Sequence, residues 1–295
     1  MNEPELFSNV LIRQLTTLRV GGSPLLYVRP RTYGELARAL ERCRGMGLPV
    51  RIMGGGSNLL VDDGVLPFAV VHLCSPGFDW IERLGPTRLR VGAGVRLANL
   101  LNYSRRAGLS GVEFLAGIPG TLGGALAGNT GAWNCTIGER VRRAWVLAED
   151  GGPGLIEVDE QTFGYRASAL SGRIITEAEL ELEPGSPERI AEAVNHHAAM
   201  KAARHPMASP SAGCIFKNPA PMPAGKLLDL CGLKGRRVGG AEVSPLHANF
   251  ICNVDRATSR DVAVLIATMW EEVRRRFGLE LELEVKRWSL GEKAA

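Results

Sequence analysis

The sequence predicts an α+β protein built in two parts, on three observations. The first third alternates short apolar strands with amphipathic helices. The middle is dense in glycine and in short strands. The last hundred residues hold one long amphipathic helix followed by an alternating apolar–acidic run. A length of 295 residues fits about two domains and is long enough to bury a large core.

Leu25–Arg29 reads as the first clear strand. Thr32 and Glu35 have the spacing of a capping box, and Leu36, Leu40 and Cys43 then mark one helical face that Gly47 ends. Pro49–Met53 completes a strand–helix–strand unit, and a glycine run follows it at once. Leu89–Val91 is strand-like; Leu97, Leu100, Leu101 and Ala107 mark a helix stopped by Gly108. Short strands are expected at Ala144–Ala148, Leu155–Val158 and Arg173–Leu182. Glu183, Pro184, Gly185 and Pro187 read as a linker dividing residues 1–185 from 186–295. Ser186 caps, and Pro187 starts, a helix running to about Ala203, with Pro206 beyond it. Thr258 or Ser259 caps the last helix, whose Val262, Leu265, Ile266, Met269, Val273 and Phe277 form one stripe closed by Gly278. Leu279, Leu281, Leu283 and Val285 then alternate with Glu280, Glu282 and Glu284, the pattern of a half-buried strand with three carboxylates outside.

Composition narrows the function classes. The 45% apolar and 22% charged fractions are those of an ordinary globular protein. A formal charge of +4 without a basic stripe makes nucleic acid an unexpected partner, although it suits an anionic small molecule. Cys43, Cys74, Cys135, Cys214, Cys231 and Cys252 form no C-x-x-C pair and no zinc spacing with histidine, so free thiols in a reducing compartment and no metal are expected. Met1–Leu15 carries Glu3 and Glu5 where a signal peptide would carry basic residues. No apolar run approaches the ~20 residues needed to span a bilayer. A cytoplasmic, non-membrane protein is expected.

Five motifs carry candidate chemistry. Gly54, Gly55, Gly56, Ser57 and Asn58 directly follow a strand, where small residues bring successive N–H groups up to an anion such as a pyrophosphate. By itself this run fits a plain tight turn equally well. The segment Gly117, Ile118, Pro119, Gly120, Thr121, Leu122, Gly123, Gly124, Ala125, continuing to Asn129–Ala132, lets backbone lie flat against a large planar ligand. A tolerated surface loop is the alternative, weakened by the presence of two such elements in one half. In Phe163–Ser168, Arg166 suits bidentate pairing with a carboxylate and Tyr165 suits a phosphate or sugar; an isolated arginine is otherwise a surface residue. Ser211–Pro219 and His247–Ile251 set polar side chains beside glycine and apolar residues, as a concave site does.

With Thr17-Leu18-Arg19-Val20-Gly21-Gly22 ahead of them, these elements in this order resemble the UDP-N-acetylenolpyruvoylglucosamine reductase family from about Thr16 to Arg287. The resemblance implies a two-part FAD-binding domain of the vanillyl-alcohol oxidase or PCMH type, over about 1–75 and 76–185. A C-terminal α+β substrate-binding domain follows at 186–295, its last strand returning to the FAD domain. It implies FAD held non-covalently, with Gly54, Gly55, Gly56, Ser57 and Asn58 at the pyrophosphate and Gly117, Ile118, Pro119, Gly120, Thr121, Gly123 and Gly124 along the ring. It implies NADPH as hydride donor and a UDP-sugar substrate contacted by Tyr165, Lys217 and Asn218. Arg166 and Glu284 would stabilise the enolate formed on the substrate. For Glu284 to donate a hydrogen bond, burial must raise its pKa.

Two departures from the family pattern matter. Many members have serine where this chain has Cys214. A free thiol, with a reference pKa near ~8.5, is a competent acid in serine's place; the alternative is a small buried hydrophobe with water as the proton donor. No tyrosine follows Tyr165, so the chain resembles the shorter subtype that lacks a tyrosine-bearing loop over the substrate. His247 and Asn249 fit structural roles as well as ligand roles, and His196 and His197 read as surface residues. Another flavin oxidoreductase of the same fold, or a catalytically inactive relative that binds FAD or a UDP-sugar, remains open at this point.

Overall fold

The computed structural model describes residues 4–74, 76–148 and 151–290. Glu3 and the outermost ends of the expected domains lie outside the described residues. Among the described residues three larger sheets, each with its own helices, are joined by short two-stranded pairings.

The first sheet has four strands in the order Glu5–Phe7, Ser23–Arg29, Val65–His72, Val50–Met53. Its last three strands are parallel. The expected strand–helix–strand unit is present, but Val65–His72, which periodicity did not identify, lies between its two strands. Helix α1 (Tyr33–Gly45) begins where Thr32 accepts the Glu35 N–H. The box closes one residue early, because the Glu35 carboxylate accepts from Arg31 N–H at 2.8 Å. Leu36, Ala39 and Cys43 are buried on it, and Leu36 and Ala39 pack with Val28 and Val71.

The second sheet is antiparallel, in the order Pro153–Glu157, Val141–Leu147, Ile175–Glu181, Arg88–Gly92, Ile81–Arg83. On it lie α2 (Leu97–Ala107), ended by Gly108 at φ 66°, and the short α3 (Leu122–Ala127). They enclose the largest apolar cluster, which includes Leu100, Phe114, Leu126 and Leu180. Glu183–Pro184, expected as linker, pairs with Leu109–Ser110. Helix α4 (Pro187–Arg204) starts with Pro187 and a Ser186 cap, and lays Val194 and Ala198 against the same cluster.

The third sheet is antiparallel, in the order Ser211–Cys214, Phe250–Asn253, Ala241–Val243, Arg237–Val238. It is covered by α5 (Ala224–Leu230) and α6 (Ser259–Phe277). Thr258 and Asp261 form a full capping box for α6, Gly278 ends it at φ 65°, and Val262, Leu265, Met269 and Val273 are its buried stripe.

The alternating run 279–285 does not form the expected strand; its only bridge joins Leu283 to Phe216. The reason lies in its hydrogen bonds. Lys217 N–H donates to the Glu282 carbonyl and Glu284 N–H donates to the Ile215 carbonyl, so the run is an irregular border laid along 215–217. The three carboxylates therefore part company: Glu280 and Glu282 face outward, and Glu284 turns in. Beyond it, Lys286–Trp288 pairs in parallel with Leu59–Val61, tying the chain end to the region after the first glycine loop. Trp288 is buried and meets Phe68 edge to face at 5.9 Å. Trp288→Ala is expected to cost ~3–5 kcal/mol of stability, read as a lowered urea midpoint.

Candidate active site

The two glycine-rich segments, far apart in sequence, touch. A Cβ on Gly55 would sit 2.6 Å from Gly120 Cα, and one on Gly54 would strike Thr121 Oγ1. Gly56 has φ +61°, which favours a residue without Cβ. Ser57 Oγ donates to the Pro119 carbonyl at 3.1 Å. Asn58 Nδ2 donates to the Glu284 carbonyl at 3.0 Å, and Lys286 N–H to the Asn58 carbonyl at 3.0 Å. Thr17 Oγ1 donates to the Ser211 carbonyl at 2.7 Å, linking the first motif to the third sheet. Backbone and side-chain bonds thus bring the separate motifs to one place.

This seam suits an extended ligand with an anionic middle. The N–H groups of Gly55, Gly56 and Ser57 have no acceptor among the described residues, and Thr121 Oγ1 is buried without a partner. Successive free N–H groups in a glycine turn are the donor set a pyrophosphate takes. Exposed Gly117, Pro119 and Gly124 give the second segment an open, flat side. The residues present fit a flavin dinucleotide.

Arg166 occupies the two-residue tip of the hairpin Phe163–Gly164 and Ala167–Ser168, at φ +51°. A non-glycine residue there stores backbone strain of about 1–3 kcal/mol. Its Nη1 donates to the Gly131 carbonyl at 3.1 Å. Asn129 braces the same hairpin, donating from Nδ2 to the Gly164 carbonyl and accepting from Gly138 N–H. Arg166 Nε lies 3.0 Å from Glu284 Oε1; the pair is close, yet too poorly aligned for Nε to make a directed hydrogen bond. Burial raises the Glu284 carboxyl above its ordinary range, and the Arg166 and Lys217 cations draw it back only in part.

Cys214 stands at the end of Ser211–Cys214, backed by Asn249. Burial first, and the Glu284 charge next, push its thiol up to about 12, against Arg166 and Lys201. That lies above the reference pKa of a free thiol. Lys201, on α4, is a residue that sequence reasoning missed. Burial lowers its ammonium to about 8, with Cys214 opposing and Arg166 assisting the shift. Its chain runs beside Gly117, whose added Cβ would lie 3.2 Å from Lys201 Cδ. The available signal was spacing: Ile190, Val194, His197 and Lys201 fall at intervals of three and four on the face that α4 buries.

The remaining candidates lie around this centre. Tyr165 is 62% exposed, and its hydroxyl accepts from Asn218 N–H at 3.4 Å. Asn218 Oδ1 accepts from Ala224 N–H and so holds the start of α5. Lys217 is held by Glu282 at 2.5 Å. Asn249 is buried and bonds both ways with the Phe216 backbone, fixing the residues after Cys214. His247 packs against His205 and Phe250. His197 differs from its surface reading: it is half-buried and stacks on Trp133 at 5.8 Å. Among the described residues no group of histidine, cysteine or acidic side chains could hold a metal, and no helix is long and apolar enough to cross a membrane.

Known proteins match this architecture. The FAD binding domain family matches residues 24–152, and the C-terminal domain of UDP-N-acetylenolpyruvoylglucosamine reductase matches 205–288. The UDP-N-acetylenolpyruvoylglucosamine reductase of Moorella thermoacetica is 40% identical over 290 residues, 97% of this chain and 94% of that protein. Its namesake in Myxococcus xanthus is 39% identical over 92% of this chain and 89% of its own length. The crystal structure of the Thermus caldophilus enzyme superposes with a TM-score of 0.83 at 36% identity, covering 97% of this chain and 99% of that one. With the expected α+β fold, an FAD-binding domain followed by the reductase C-terminal domain, the chain belongs to the UDP-N-acetylenolpyruvoylglucosamine reductase family.

Proposed function

We propose that Arg166, Glu284 and Cys214 perform the chemistry of an FAD-dependent, NADPH-driven reduction of UDP-N-acetylenolpyruvoylglucosamine to UDP-N-acetylmuramate, a step of peptidoglycan synthesis. The enzyme is a flavoprotein oxidoreductase of that family. The observation that carries the assignment of residues is the meeting of Arg166, held at a strained turn, with the raised carboxyl of Glu284, beside a protonated thiol.

Residues 1–185 form the FAD-binding part, in halves of about 1–75 and 76–185, and 186–295 the substrate part, with α4 lying across the junction. Gly54–Asn58 would hold the FAD pyrophosphate, and Gly117–Gly124 would lie along the ring. When bound, the cofactor supplies the methylene carbon of the enolpyruvyl ether with a hydride that originates in NADPH. Charge then accumulates on the substrate carboxylate and the neighbouring carbon. Arg166 meets that charge with a guanidinium already fixed by the Gly131 carbonyl, which avoids reorganisation at the moment of reaction. Glu284, whose carboxyl burial raises, lies beside Arg166 and in its protonated form donates a hydrogen bond to the developing enolate, keeping its proton. Cys214 gives its Sγ proton to the carbon beside the carboxylate. A thiol near 12 is still a far stronger acid than the C–H bond being made. Lys201 and Arg166 balance the thiolate left behind, and solvent restores it.

Tyr165, Lys217 and Asn218 contact the UDP-sugar, and the protein works in the cytoplasm. Turnover in deuterated water tests the scheme: the product should carry a deuterium at the lactyl α carbon. Product without that label, or no product from a flavin-loaded protein, would contradict it. Gly55→Ala is expected to abolish FAD retention, because its Cβ would force the two loops apart. Loss of the visible flavin spectrum from purified protein is the check.

A further inference from the structure

The strands Gly131–Ala132 and Cys135–Thr136 form a hairpin turned by Trp133 and Asn134. These two residues have φ +56° and +61°, the left-handed pair that a type I′ turn requires. Asparagine suits such a place, but a bulky aromatic residue there is an outlier. Trp133 carries a second unfavourable feature: its indole Nε1 is buried without a partner among the described residues. An outlier of this kind persists only where its surroundings hold it. Here α4 does so. The indole stacks on the His197 ring at 5.8 Å with 16° between the planes, and the Arg204 guanidinium lies 5.6 Å from its centroid. His197 and Arg204 stand two turns apart on one face of α4, so the indole is clasped between them.

The same hairpin serves the candidate active site, because the Gly131 carbonyl accepts from Arg166 Nη1 at 3.1 Å. Its root is pinned where Ile137 N–H donates to the Thr130 carbonyl at 2.9 Å, and its tip reaches α4 through the indole. Gly131 lies between these two points. A two-stranded hairpin is marginal on its own, so one held only at its root is free to tilt. A guanidinium that meets developing charge works best when it is fixed beforehand. We propose that Trp133, clasped by His197 and Arg204, is a positioning residue that steadies the hairpin so that the Gly131 carbonyl holds the Arg166 guanidinium in place.

Trp133 acts this way only if Arg166 has the role given to it above, so the two ideas are tested apart by stopped-flow absorbance of the holoenzyme. Trp133→Asn keeps a residue suited to the turn and removes the ring. Its bleaching by NADPH is expected at the wild-type rate. Recovery with the enolpyruvyl substrate is expected about tenfold slower, short of the ~hundredfold that a misplacement of ~1 Å can cost. Trp133→Phe, which keeps a stacking ring, should stay within about threefold of wild type. His197→Leu, which leaves the turn untouched, should slow the same half-reaction about threefold. In an Arg166→Met background Trp133→Asn should cost nothing further, because the group it positions is gone. Wild-type recovery in Trp133→Asn, or in His197→Leu where the first variant does not fold, with Arg166→Met slow, would overturn the positioning role and leave Arg166 in place. An undiminished loss in the Arg166→Met background, or equal slowing of both half-reactions, would overturn it too. Normal recovery in Arg166→Met would remove the role of Arg166 itself.

Discussion

Arg166→Met is expected to lower the rate of enolpyruvyl reduction about a thousandfold, the effect of removing a fixed donor from a developing oxyanion. The substitution removes the guanidinium that meets the charge; the loss of that cation 3.0 Å from Glu284 only favours the protonated carboxyl, so the rate loss reports the guanidinium itself. Arg166→Lys should recover only part of the rate. A lysine restores charge but not the planar fork, of which one arm is spent on the Gly131 carbonyl. Stopped-flow absorbance separates the half-reactions: loss of flavin absorbance with NADPH should be nearly normal, and its return with the enolpyruvyl substrate slow. Equal slowing of both halves would place Arg166 elsewhere than at the substrate.

Cys214→Ala is expected to slow only the half-reaction with the enolpyruvyl substrate, by about 10²–10⁴-fold, the range for loss of a general acid. Cys214→Ser should keep much of the rate, since it places a hydroxyl proton at the same point. The pH dependence follows from the neighbouring groups. A thiol raised to about 12 stays protonated through the working range, so it contributes no alkaline limb there. Lys201, lowered to about 8, is charged below that pH and neutral above it. Its charge favours the thiolate formed when the proton leaves, so the rate should fall as pH rises through about 8. Lys201→Met should start from a lower rate at pH 7 and lose that limb. An alanine variant at 214 with wild-type kinetics would leave proton delivery to water.

Much of the fold was readable because the signals were local. Thr258 with Asp261, Ser186 with Pro187, and Gly108 and Gly278 each fix one helix end through neighbouring residues. What escaped depended on distant parts of the chain. Val65–His72 is a central strand buried for most of its length, so it lacks the period of two, and Pro67 argues against a strand when only sequence is seen. The run 279–285 has a strand's alternation, but its backbone bonds go to 215–217, and only that border turns Glu284 inward. The motifs were visible as motifs, but the contact of Gly55 with Gly120 was not. Lys201 is a lysine on an amphipathic helix, which reads as solvated until the thiol and Arg166 are seen beside it. Cys214 shows the same limit in its chemistry: sequence supplies the reference acidity of a thiol, and the fold sets the actual one.

The most direct test is anaerobic. The purified flavoprotein is reduced with one equivalent of NADPH and then mixed with UDP-N-acetylenolpyruvoylglucosamine, and the flavin absorbance is followed. The account predicts bleaching by NADPH, and full recovery with one equivalent of UDP-N-acetylmuramate formed. Bleaching without recovery would contradict it and mark a protein that accepts hydride but has no site for this substrate.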